Sequence, residues 1–294
     1  MSTSVRPRRS LLYMPGSNAR ALEKAKTLPA DGLILDLEDA VAPDAKAVGR
    51  EQVCNAVKGG GYGGRELVIR INGLDTPWGK DDLAAAAAAK PDAVLVPKVE
   101  SAAQVQAVEA LLDMHRAPAE TTIWCMMETP LGILHAEAIA GASQRVACLV
   151  LGTSDLTKDL HARHTPLRLP MLTSLTLCLL AGRAHGLTVL DGVHLDLADD
   201  AGFLEACRQG LELGFDGKTL IHPKQVEPCN AVFAPSPEEV ADARKIIAAF
   251  EAATAAGKGV VLVDGKLIEN LHVEAAQRTV ALADAIERLR RAAA

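Results

Sequence analysis

The chain has few aromatic residues: two Trp, two Tyr and four Phe among 294 positions. With nearly half of its residues hydrophobic, the apolar content is therefore mostly Ala, Leu and Val, a mixture that suits helices packed on a parallel sheet. Concentrated positive charge is also missing. Lys and Arg number 31 against 37 Asp and Glu, a formal charge of −6, and the one basic cluster is Arg6, Arg8 and Arg9. Phosphate contacts need dense Lys and Arg, so nucleic acid is not an expected partner. No apolar run is long enough to span a membrane. Leu11 to Met14, stopped by Pro15-Gly16, is too short for the core of a signal peptide. The six cysteines (Cys54, Cys125, Cys148, Cys178, Cys207 and Cys229) show no paired spacing. They read as reduced, buried thiols of a cytoplasmic or organellar-matrix enzyme rather than as disulfides or a zinc site.

What the chain does have is a repeated strand-then-helix pattern. Short apolar runs read as strands at 9–14, 32–36, 67–71, 93–96, 122–126, 148–151, 188–190 and 217–221, and helical stretches such as 102–112 and 203–213 separate most successive pairs. The six-alanine run from Ala84 reads as a helix, with Asp81-Asp82 before it and Lys90 after it matching its dipole. Eight such units predict a closed (β/α)8 TIM barrel, because right-handed crossovers onto one parallel sheet curl it until its edges meet. An open doubly wound sheet is the alternative, but no G-x-G-x-x-G follows the first strand to support a dinucleotide fold. The barrel is expected over 1–227. Residues 228–294 form a C-terminal helix-hairpin-helix extension: a helix opening at Pro237, a hairpin turning at Asp264-Gly265, and a final helix from about Val273. It reads as a lid, a subunit contact or both.

Polar residues gather at the C-terminal ends of the strands, which a barrel brings to one mouth: Glu38, Arg70, Lys98, Glu128, Asp155, Asp191 and His222. Glu128 and Asp155 each stand just past a buried strand. Such a pair could hold a hard divalent cation, Mg2+ or Mn2+, with water and substrate completing the shell, or be two solvated loop acids. Arg70 would bind a substrate carboxylate through its planar fork, or form a structural ion pair with Glu38 or Asp39. Glu38 and Asp39 would hydrogen-bond water on the metal or orient Arg70 and Lys98. Lys98 could be a Schiff-base nucleophile, although beside a metal pair electrostatic support is the better reading. His161 and His164 are expected to be solvated. His222 would touch ligand or brace the eighth loop.

Seven ordered segments resemble the citrate lyase beta subunit-like family of malyl-CoA, β-methylmalyl-CoA and citramalyl-CoA lyases. They are Leu12 to Gly16, Leu35 to Val41, Arg70-Ile71-Asn72, Pro97 to Glu100, Glu128 to Gly132, Gly152 to Leu156 and Gly217 to Pro223. The resemblance implies a barrel assembled as a homotrimer or homohexamer, with Mg2+ or Mn2+ held by Glu128 and Asp155. Arg70 would hold the carboxylate of a 2-oxo acid, and Glu38 joins Arg70 and Glu269 as a catalytic group. The hairpin is implied to close over a neighbouring subunit's mouth and deliver an acid. That acid is Glu269 here, where family members often carry Asp. From their places near the mouth, Arg20 and Lys24 on the first helix, with His222, are the candidate contacts for coenzyme A, although exposed basic residues on a helix are more often merely solvated. The implied reaction is reversible Claisen-type cleavage of a 3-hydroxyacyl-CoA into acetyl-CoA and a 2-oxo acid. A thioesterase on the same fold is one alternative, and a citrate lyase subunit acting on a carrier-bound acyl group is another.

Overall fold

The computed structural model describes residues 5–257 and 259–293. Eight strands follow one another: β1 (Ser10–Pro15), β2 (Gly32–Asp36), β3 (Glu66–Arg70), β4 (Ala93–Val96), β5 (Thr122–Met127), β6 (Val146–Leu151), β7 (Thr188–Asp191) and β8 (Gly217–Leu220). Each pairs in parallel with the next. β8 returns to β1 through Ser10↔Lys218, Leu11↔Thr219 and Leu12↔Leu220, so the sheet is a closed barrel and the open-sheet alternative is ruled out.

Side chains alternate across each strand, and the barrel therefore has two cores. Leu11, Ile34, Val68, Leu95, Trp124, Met126, Val150 and Leu190 fill the interior. A larger layer, including Leu12, Leu33, Leu35, Ile69, Val94, Cys125 and Leu149, meets the surrounding helices. All six cysteines are buried and free. The N-terminal arginines are not a basic patch. Arg8 pairs with Glu66 at 2.7 Å and lies 5.1 Å from the Trp124 ring, while Arg9 pairs with Asp31 at 2.7 Å, nearly fully buried.

The barrel unit runs from Arg8 to Phe233. The boundary expected at residue 227 falls inside a helix, Val226–Phe233, whose Val226, Cys229 and Phe233 belong to the barrel's outer core. A separate unit begins at Ala234. Its first helix, Pro237–Ala255, opens with a capping box between Ser236 and Glu239. β9 (Val261–Val263) and β10 (Lys266–Ile268) form an antiparallel hairpin. Asp264 and Gly265 at its tip have φ of 49° and 77°, the left-handed pair that a two-residue turn of this hand demands. Val263, Ile268 and Val273 form the unit's core against Ile246, Ile247 and Phe250, and the last helix is Asn270–Ala293. Among the described residues no helix is long and apolar enough to cross a membrane.

Candidate active site at the barrel mouth

The alternation that buries Ile34, Val68, Met126 and Val150 in the interior carries two residues further to Asp36, Arg70, Glu128 and Gly152. All four line one pocket of about 370 Å³, with Tyr13 and Asp155 also in its wall. Arg70 is 7% exposed and is clamped rather than free. Its Nε and Nη2 donate to Asp36 Oδ1 and Oδ2, both at 2.6 Å. Nη1 lies 2.8 Å from Glu38 Oε2, and the guanidinium stacks 4.9 Å from the Tyr13 ring. The fork expected to be open for a substrate thus faces Asp36, and only the Nη1 edge points toward Glu38 and Asp39. Asp36 was legible as a strand-end acid, and its place two residues after Ile34 was the signal that it points inward. Asn72 is a brace: its Nδ2 donates to the Leu37 carbonyl and to buried Asp82.

Glu128 is 2% exposed. Its Oε1 accepts the Lys98 amide at 2.8 Å, and burial, reinforced by Glu38, pushes its carboxyl up to about 7 against the pull of Lys98 and Arg70. Gly152 makes this position possible. A Cβ there would lie 2.4 Å from Glu128 Cβ and 2.5 Å from its Oε2. Asp155 sits in the first turn of the helix Thr153–Asp159, near the positive end of its dipole. Lys98 Nζ bridges the acids, 2.7 Å from Glu38 Oε1 and 3.6 Å from Asp155 Oδ2. Burial alone would lower the Lys98 ammonium, but Glu38, Glu128 and Asp155 together hold it well above its usual range. Burial raises Glu38 as well, despite Arg70 and Lys98 beside it.

These residues fit a hard divalent cation. Glu38 is already paired, its Oε2 with Arg70 Nη1 at 2.8 Å and its Oε1 with Lys98 Nζ at 2.7 Å, which leaves Glu128 and Asp155 as the acids open to an ion. Among the described residues Glu128 accepts one hydrogen bond, from the Lys98 amide, which compensates its charge poorly, and the donors are carboxylate oxygens. No group of three or more His, Cys, Asp or Glu gathers around one point among the described residues. Glu128 and Asp155 would therefore share the ion with substrate oxygens and water.

The other expected site residues are placed as follows. Asp191 points away from the pocket into a buried ion cluster, 2.9 Å from Lys218 Nζ and 2.7 Å from Arg168 Nη1. Arg20 and Lys24 are exposed on the helix Ala19–Ala25, which follows β1 at the mouth end. His222 caps the turn after β8, its Nδ1 accepting the Lys224 amide at 3.1 Å, while neighbouring Ile221 lines the pocket. His161 and His164 are exposed. Glu269 is exposed just before the last helix, in the C-terminal unit, and its amide donates to His272 Nδ1 at 3.1 Å.

A closed parallel barrel with an arginine and a set of acids at the C-terminal ends of its strands defines a (β/α)8-barrel enzyme. Residues 9–223 match the HpcH/HpaI aldolase/citrate lyase family, and the chain belongs to that family. It is 50% identical over 290 residues to a (3S)-malyl-CoA thioesterase of Cereibacter sphaeroides, covering 99% of each chain. It is 38% identical over 305 aligned positions to an L-malyl-CoA/beta-methylmalyl-CoA lyase of the same species, covering 96% of each. Among solved structures it resembles the protein CitE of Mycobacterium tuberculosis in complex with magnesium, acetoacetate and coenzyme A. That match has a TM-score of 0.76 and 29% identity, and covers 95% of this chain and all of the other.

Proposed function

We propose that this chain hydrolyses the thioester of a short 3-hydroxy dicarboxylic acid on coenzyme A, of the (3S)-malyl-CoA type, releasing the intact hydroxy acid and free coenzyme A. The observation that carries this reading is the 50% identity, over 99% of both chains, to a thioesterase of that specificity. A divalent cation, Mg2+ or Mn2+, held by Glu128 and Asp155 would draw electron density from the substrate oxygens it touches. The Nη1 edge of Arg70, which faces Glu38 at 2.8 Å, would be shared with the free carboxylate of the substrate, with Asp36 and Tyr13 fixing the guanidinium plane. Glu38 takes a proton from the water that attacks the thioester carbon. The carbon–sulfur bond breaks as the new carbon–oxygen bond forms, and the thiolate leaves and takes up a proton. Lys98 orients Glu38 through their 2.7 Å contact. Arg20, Lys24 and His222 remain the candidate contacts for the coenzyme.

The lyase reading is second. It is favoured by the 38% identical lyase and needs an acid to protonate the departing enolate, the role proposed for Glu269. The extra methylene of Glu relative to Asp works against it, since misplacing a catalytic group by about 1 Å costs roughly 100-fold. A homotrimer or homohexamer in the cytoplasm is proposed on the family resemblance, and sedimentation of the purified chain tests the assembly. The deciding experiment for function is incubation with Mg2+ and malyl-CoA, with products read by mass. Malate plus free coenzyme A supports hydrolysis, whereas acetyl-CoA plus glyoxylate establishes the lyase instead.

A further inference from the structure

Lys98 is engaged with the acidic mouth twice over. Its main-chain N–H fixes Glu128 Oε1 at 2.8 Å, while its side chain turns back onto Glu38 at 2.7 Å and Asp155 at 3.6 Å. To do both, the residue adopts a left-handed backbone with φ of 49°, uncommon for a side chain other than Gly, Asn or Asp. The strain marks a position held by its surroundings. The side chain remains about half exposed, so the ammonium has somewhere to go when displaced.

We propose that Lys98 is a tethered competitor for the divalent cation: its ammonium occupies the Asp155 side of the site until an ion and an anionic substrate arrive together. The inference rests on the reading of Glu128 and Asp155 as the cation ligands. An ion between those two carboxylates repels the ammonium from Asp155, and the cost of that repulsion weakens binding of the ion alone. A substrate carboxylate arriving beside the ion gives the displaced Lys98 ammonium a new anionic partner and so offsets that local repulsion. The same arrangement then makes retention of the ion depend on the substrate acid, a coupling that is reciprocal between the two ligands. Lys98 is a positioning residue in this scheme and forms no bond to substrate.

The competitor role and a merely structural role differ in sign. If Lys98 only held the acids in place, removing its charge would weaken cation binding; if it competes, removal tightens binding. The experiment is the Mn2+ dissociation constant of the full chain, followed by the electron paramagnetic resonance of free Mn2+, with and without saturating (S)-malate, the hydroxy acid that the proposed reaction releases. Lys98→Met keeps the main-chain amide on Glu128 and should bind Mn2+ alone about ten-fold more tightly than the unaltered chain. The further tightening produced by malate should shrink correspondingly. Lys98→Arg, which keeps the charge, should retain the original affinity. Equal or weaker Mn2+ binding by Lys98→Met, in a variant whose circular dichroism and Tm show it folded, overturns the proposal. Glu128→Gln and Asp155→Asn separate this failure from that of the underlying site: undiminished Mn2+ binding in both variants removes the cation site itself.

Discussion

Replacing Gly152 by Ala tests the geometry of the mouth without removing any polar atom. The backbone there has φ of −98°, outside the left-handed region that favours glycine, so the main effect of the change is steric. What it introduces is a methyl group 2.4 Å from Glu128 Cβ, 2.5 Å from Glu128 Oε2 and 3.1 Å from Met126 Cε. The contact to Glu128 Cβ cannot be relieved by rotating the carboxylate, so β5 and the turn after β6 must part by roughly 1 Å. Overpacking of this kind costs about 1–3 kcal/mol, read as a fall of several degrees in Tm. A carboxylate displaced by that much should cost about 100-fold in kcat/KM and should weaken Mn2+ binding in parallel. Both losses pass through one side chain, so the double variant Gly152→Ala/Glu128→Gln should be no less active than Glu128→Gln alone. Near-normal activity with a lowered Tm would refute the reasoning, because the clash would then have been absorbed without moving Glu128.

Two further outcomes follow from buried charge. Lys218 is 1% exposed beside Asp191 at 0%. Although burial alone would raise Asp191, Lys218 and Arg168 together hold its carboxyl below the usual range. Lys218→Met should cost about 3 kcal/mol in urea unfolding, the lower end for breaking a buried pair because Arg168 stays. Since the depressed carboxyl contributes stability above its ordinary value near 3.8 and loses it on acidification, the variant should also lose stability at a higher pH than the unaltered chain does. Glu128 behaves in the opposite sense. With a folded-state value raised from 4.5 to about 7, it binds its proton more tightly in the native state, so stability falls as pH rises through that window, by up to about 3 kcal/mol. Urea midpoints in chelator between pH 5 and 8 should show this decline. Glu128→Gln should remove most of it, and a decline of unchanged size in that variant would rule Glu128 out as its source.

The eight apolar runs and the helical stretches between them were legible because buried strands and amphipathic helices write their periods directly into composition. Likewise, the turn at Asp264-Gly265 was readable because two left-handed residues are required there. The positions of Glu128 and Asp155 past their strands, and hence the neighbourhood of the mouth, came from the same local grammar. Partners across the barrel did not. Asp36 and Arg70 are 34 positions apart and meet only because neighbouring strands are in register; the sequence showed an acid and an arginine at two strand ends but not that one clamps the other. Asp191 looked like any strand-end acid until the fold turned it outward onto Lys218 and Arg168. The stretch from 228 onward looked like the start of the extension, because nothing local says that Cys229 and Phe233 pack in a helix against the barrel's outer core. Local periodicity determined the elements, since it depends on neighbours in the chain. Which charges neutralise each other was decided by tertiary structure alone, because it depends on distances that only closure of the sheet sets.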